Sequence, residues 1–74
     1  MLTKIYCKSA TYAVVDNDDT ITIYYINDLD NVIVMPNCIK FIAVNNPQFI
    51  LSNFVWCNLF DYNNQSVASI TKGL

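Results

Sequence analysis

Residues 11 to 26 read TYAVVDNDDTITIYYI, two β-prone runs on either side of the polar tetrad Asp16-Asn17-Asp18-Asp19. Val, Ile, Thr and Tyr suit the pleated, half-buried surface of a sheet, while Asn and Asp tolerate the left-handed backbone of a tight connection, so the stretch predicts a β-hairpin. With residues 16 to 19 as the loop, Val15 falls opposite Thr20, Val14 opposite Ile21, Ala13 opposite Thr22 and Tyr12 opposite Ile23. Tyr12, Val14, Ile21 and Ile23 then share one face, and Thr11, Ala13, Thr20, Thr22 and Tyr24 the other, as alternation in a sheet requires.

Working outward, residues 27 to 31 (Asn-Asp-Leu-Asp-Asn) read as the next loop. A second hairpin would pair Ile26 with Val32, Tyr25 with Ile33, Tyr24 with Val34 and Ile23 with Met35. The core face extends through Ile23, Tyr25, Ile33 and Met35, but the second face collects Tyr24, Ile26, Val32 and Val34 and is apolar as well. Such a face has to be covered, by the chain's own second half or by a second copy.

Further turns are expected at Met35-Pro36-Asn37, Asn45-Asn46-Pro47 and Asp61-Tyr62-Asn63-Asn64, because Gly73 is the sole glycine and Asn and Asp must make the corners. Ile39 to Val44 reads as a strand. Phe49 to Phe60 is apolar at nearly every position, where periodicity does not separate a strand from a helix. Asn46 followed by Pro47 forms a helix-start pattern, whereas Phe49, Ile50, Phe54, Val55 and Trp56 favour a strand. Ser66 to Thr71 alternates weakly and reads as an edge strand. The expected fold is mainly β: one domain over residues 1–74, a small antiparallel meander closing into a barrel or sandwich, with one short helix after Asn46 as the open alternative.

Composition bounds the function. The chain is 54% hydrophobic and 14% charged, with a net charge of −2, against about 45–50% and about 25% for ordinary soluble domains. A domain this short buries only about 60% of the surface its unfolded chain exposes, so help from a partner is expected. Lys4, Lys8, Lys40 and Lys72 are the only cations and Arg is absent, which argues against nucleic acid, since displacing counterions takes clustered cations. A polybasic membrane patch fails on the same ground, and no apolar run is long enough to span a bilayer. Met1 to Lys8 holds no uninterrupted apolar run of the secretory kind, and Cys7, Cys38 and Cys57 are odd in number with no CxxC pair. Reduced thiols in a cytoplasmic setting are therefore expected.

Glu, His and Arg are all missing. Acid–base chemistry would fall to Asp, Lys or Tyr, and a cysteine nucleophile would have no imidazole to generate its thiolate, so no enzyme, cofactor or metal is expected. Val14-Val15-Asp16-Asn17-Asp18-Asp19-Thr20-Ile21 resembles the first motif of the haloacid dehalogenase-like phosphotransferases, which would give Asp16 the nucleophile's place and Asp18 that of the acid–base. That family also needs a much larger α/β domain, a helix-borne Lys and further carboxylates. Asp16, Asp18 and Thr20 are similar too to the first, third and fifth places of an EF-hand loop, but the sixth lacks its glycine and the twelfth is Asn27. Turn chemistry accounts for the run more simply.

What remains is adhesion. Phe49, Phe54, Trp56 and Phe60 crowd the second half, Tyr24 falls off the first hairpin's core face, and Asp16, Asp18, Asp19, Asp28 and Asp30 lie within fifteen residues. The expected function is a non-enzymatic protein-interaction module that binds a protein partner through Tyr24, Val32, Val34 and Trp56, with Asp16, Asp18 and Asp19 steering a basic surface. The alternative is a self-assembling structural or virion component, and a homodimer is expected in either case. The abundance of Asn, Asp, Tyr, Phe and Cys matches a T-rich coding strand. That bias points to a small viral or phage accessory protein in the host cytoplasm.

Overall fold

The computed structural model describes residues 2–45 and 48–72, and all their regular structure is strand: β1 (Thr3–Tyr6), β2 (Ser9–Val15), β3 (Ile21–Ile26), β4 (Leu29–Val34), β5 (Ile39–Ala43), β6 (Phe49–Leu51), β7 (Trp56–Phe60) and β8 (Ser66–Thr71). They form two antiparallel four-stranded sheets in a sandwich-like arrangement. The first has the order β1-β4-β5-β6, the second β3-β2-β7-β8.

The β2–β3 hairpin exists with a register one residue away from the sequence reading: Val15 pairs with Ile21, Val14 with Thr22, Ala13 with Ile23 and Tyr12 with Tyr24. The cause lies in the turn. Asp19 N–H donates to Asp16 O (3.0 Å) and Asp16 N–H to Thr20 O (2.7 Å), and Asp19 is left-handed at φ 61°. This is a type I turn closed by a left-handed bulge residue, a three-residue loop in which Asp16 and Thr20 still face each other. Residues 61 to 65 repeat it: Asn64 N–H donates to Asp61 O and Asp61 N–H to Gln65 O, both at 3.0 Å, with Asn64 at φ 62°. The Asp61 carboxylate also accepts the N–H groups of Asn63 and Gln65.

A one-residue slip moves every side chain of β3 to the opposite face. Thr22, Tyr24 and Ile26 point inward with Ala10, Tyr12 and Val14, while Ile21, Ile23 and Tyr25 face outward.

The second expected hairpin does not form. Asp28, left-handed at φ 60°, turns the chain out of the second sheet, and β4 pairs with β1 and β5 in the first. Leu29 N–H donates to Lys8 O (2.8 Å) and Val44 N–H to Asp28 O (3.1 Å), fastening the crossover. Ile26, Val32 and Val34 thus pack against the core within the chain, while Tyr24 stays exposed at 43%. The helix-start pattern Asn46-Pro47 lies outside the described residues. The positions that would have continued the helix are strand β6, paired with β5, in line with the aromatic and β-branched preference of Phe49 and Ile50.

The core lies between the sheets, with Phe41, Leu29, Ile39, Leu59, Val32 and Cys57 its largest fully buried side chains. Tyr12 connects the layers, its ring centroid 6.1 Å from both Phe41 and Phe49.

Candidate interaction surface

The second sheet is built without charge. β2, β3, β7 and β8 contain no Asp, Glu, Lys or Arg, whereas the first sheet carries Lys4, Asp30 and Lys40 within its strands. On the outer face of the second sheet, Ile23, Ala13, Trp56 and Thr71 lie in one cross-strand row, and Tyr25, Thr11, Asn58 and Ser69 in the next. Ser69 Oγ donates to Asn58 Oδ1 at 2.7 Å across that row. Ala13 is fully buried although it faces outward, because Ile23 and Trp56 flank it.

Toward β3 the face becomes apolar and open. Ile21, Ile23 and Tyr25 are 58%, 63% and 62% exposed, three large side chains in line along one strand, with exposed Val15 beside Ile21. They present on the order of 400 Å² of accessible surface, within the range of the largest patch on a typical monomer, where such patches are often functional.

The margin between the sheets is aromatic. Tyr24 stacks on Tyr12 at 5.3 Å, and Phe49 on Phe41 at 5.8 Å. Tyr24 and Phe49 are the outermost members of this set, at 43% and 42% exposed. They form a lip on either side of Tyr12, which lies 5.3 Å from Tyr24 and 6.1 Å from Phe49 between ring centroids.

Carboxylates bracket β3. Asp18 and Asp19 are exposed on the preceding turn, with Asp16 half-buried and accepting the hydroxyl of Thr22. Asp28 and Asp30 are exposed just after the strand. Three of the four lysines lie over aromatic rings: Lys4 over Tyr6 at 5.1 Å, Lys8 over Tyr62 at 5.2 Å and Lys72 over Phe54 at 5.4 Å.

No family model matches the chain, and neither do the curated proteins or solved structures compared with it. Function has to be argued from these residues alone.

Of the residues singled out in the sequence, Tyr24, Trp56, Asp16, Asp18 and Asp19 belong to this region, although Tyr24 is on the lip and Trp56 half-buried on the outer face. Val32 is fully buried, and Val34 is half-buried with its side chain packed against the core. The crossover of β4 into the first sheet placed them against the core. Ile21, Ile23 and Tyr25, expected on the core face, lie on the surface, and Phe49 of the aromatic set is exposed as well. The left-handed bulge residue of the turn was the signal that would have exposed the first three.

Burial raises the Cys7 thiol to about 11. It raises Cys57 to about 12, with the neighbouring Cys7 adding to the effect. Both are neutral thiols at pH 7. Burial also raises the Tyr12 hydroxyl, with Tyr24 and Cys57 contributing. The phosphotransferase likeness ends at the turn, since Asp16 and Asp18 are followed by strand β3 in an all-β domain. Among the described residues no group of three or more Cys or Asp side chains is placed to hold a metal ion, and no helix is long and apolar enough to cross a membrane.

Proposed function

We propose that this chain is a non-enzymatic protein-interaction module, a small viral or phage accessory protein that acts by occupying a protein of the host cytoplasm. The observation that carries the reading is the alignment of Ile21, Ile23 and Tyr25 on an uncharged sheet face beside an acidic turn. Covering on the order of 400 Å² of it would yield about 10 kcal/mol gross, comparable with the entropic cost of association, so further contacts along the lip would decide the net affinity. Asp18 and Asp19 at the rim would speed the encounter with a basic surface. The missing Glu, His and Arg and the neutral thiols of Cys7 and Cys57 support a role without catalysis.

The test is positional cross-linking. A photoreactive residue at position 23 is expected to capture one discrete protein in cells producing the chain. The same residue at position 50, where exposed Ile50 faces outward on the other sheet, is expected not to. Equal capture from both positions would remove the reading.

Self-assembly through the same face is the second reading. It is favoured by the absence of charge from these strands, because a two-fold copy would bring no like charges together at the centre of the contact. Sedimentation over a wide concentration range decides it: a dimer that Ile23→Lys dissolves without loss of fold would place this reading first.

A further inference from the structure

Among the described residues, strand β3 is an edge, paired on one side only, with β2. Because Asp16 N–H bonds to Thr20 O, the antiparallel alternation directs the backbone groups of Thr22, Tyr24 and Ile26 toward β2 and those of Ile21, Ile23 and Tyr25 outward. The residues with the most exposed side chains thus also carry the open N–H and C=O groups of the edge.

The other edges are guarded in familiar ways. β6 has only three residues, β1 has four and contains Lys4, and β8 intersperses Ser66, Ser69 and Thr71 before ending at Lys72. β3 has six residues with no charge, proline or glycine.

A second copy of β3 fits this edge poorly. Only Ile21, Ile23 and Tyr25 offer open backbone groups, so the two antiparallel self-pairings that overlap most of the strand set Ile23 opposite Ile23 or opposite Tyr25. The first opposes Asp18 to Asp28 at both ends and the second Asp18 to Asp30, while parallel pairing runs the aspartate clusters of one copy beside the same clusters of the other. Like charges directly opposite destabilise a ladder.

The geometry points to a different occupant: an extended segment of another protein, about six apolar or β-branched residues with Lys or Arg at both ends, added to β3 as a fifth strand of the second sheet. This inference rests on the interaction reading above and specifies its partner. The segment's central backbone would bond to Ile21, Ile23 and Tyr25. Alternate side chains would fall on the lip of Tyr24 and Phe49 or extend the outer apolar face. Its basic ends would meet Asp16, Asp18 and Asp19 on one side and Asp28 and Asp30 on the other.

The experiment titrates the chain with the synthetic peptide KKTVTITVKK, and with the same core flanked by DD, while following amide hydrogen exchange. Saturable binding of the lysine-flanked peptide alone is expected, with new protection at the amides of Ile21, Ile23 and Tyr25 and affinity that falls as salt rises. Ile23→Pro removes one open N–H that bonds to nothing among the described residues, so the fold should survive and affinity should fall at least tenfold. Asp18→Asn with Asp28→Asn spares the backbone altogether and should also weaken binding, with a shallower salt dependence. Absence of binding, equal binding of both peptides, or protection elsewhere would overturn the inference. The same holds for a free chain already protected at these amides through self-pairing. If the peptide fails while cross-linking from position 23 still captures one protein, the edge-strand inference alone falls. If capture also fails to distinguish positions 23 and 50, the interaction reading falls with it.

Discussion

Asp19 and Asn64 occupy the left-handed corners of the two matched turns, at φ 61° and 62°. Asp and Asn bear that conformation better than most residues, and Gly bears it without a Cβ penalty. Asp19→Gly should therefore be neutral or stabilise by up to about 1 kcal/mol, while Asp19→Val should cost about 1–2 kcal/mol through strain at the same corner. Urea unfolding of the two variants measures both, and Asn64→Gly and Asn64→Val should follow the same order. Thiol chemistry is another residue-scale consequence. Half-buried Cys38 should react with a thiol reagent at neutral pH well before Cys7 and Cys57, which are buried and protonated. Counting labelled sites by mass over time tests this, and early labelling of Cys57 would contradict the packing described.

At the scale of the element, the aspartates at both ends of β3 would oppose pairing with its own copies. Asp18→Asn together with Asp28→Asn removes the repulsion at each end of the self-pair centred on Ile23 while leaving the apolar strand intact. Concentration-dependent association, read by sedimentation or by a β-aggregate dye, should rise in this variant and remain low in the parent. Elements were also where the sequence was most and least legible. Alternating Ile, Val, Thr and Tyr revealed the strands, and Asn and Asp clusters located the turns, because those preferences act over a few residues. Whether β3 pairs with β4 or hands the chain to another sheet depended on Asp28 adopting φ 60° and on bonds to Lys8 and Val44, contacts distant in sequence or dependent on the fold. The same limit hid the outward turn of Ile21, Ile23 and Tyr25. Asp16, Asp18 and Asp19 were legible as a polar corner, since three exposed or half-exposed carboxylates on a turn need no tertiary information.

For the whole molecule, a domain of this length has about 4–11 kcal/mol of stability, and one large core truncation consumes much of it. Phe41→Ala, at the centre of the aromatic contacts between the sheets, should cost about 3–5 kcal/mol and leave the domain marginal or unfolded at 37 °C by circular dichroism. Alkaline conditions act through the thiols. Cys7 and Cys57 are raised from 9.0 to about 11 and about 12, so the folded state holds these protons more tightly than the unfolded chain. Their contribution is complete below pH 9 and is lost as pH rises through the folded values. Thermal midpoints should accordingly fall above pH 9, and Cys57→Ala should flatten that fall even if it lowers the midpoint at pH 7.

The pairing of β2 with β7 joins Ser9 to Phe60, and this fixes the order in which the molecule can assemble. An isolated β2–β3 hairpin is marginal in water, and its inner face has no cover until β5 and β6 exist, nor its inner edge a partner until β7 does. Such distant contacts demand loop closure before they stabilise anything, so folding should be slow for the size, in the millisecond-to-second range of all-β domains. During synthesis, Ile21 to Ile26 would emerge long before Trp56 to Phe60. Until those later strands arrive, the nascent hairpin would expose apolar side chains on both faces, a window in which chaperone capture competes with completion of the sheet.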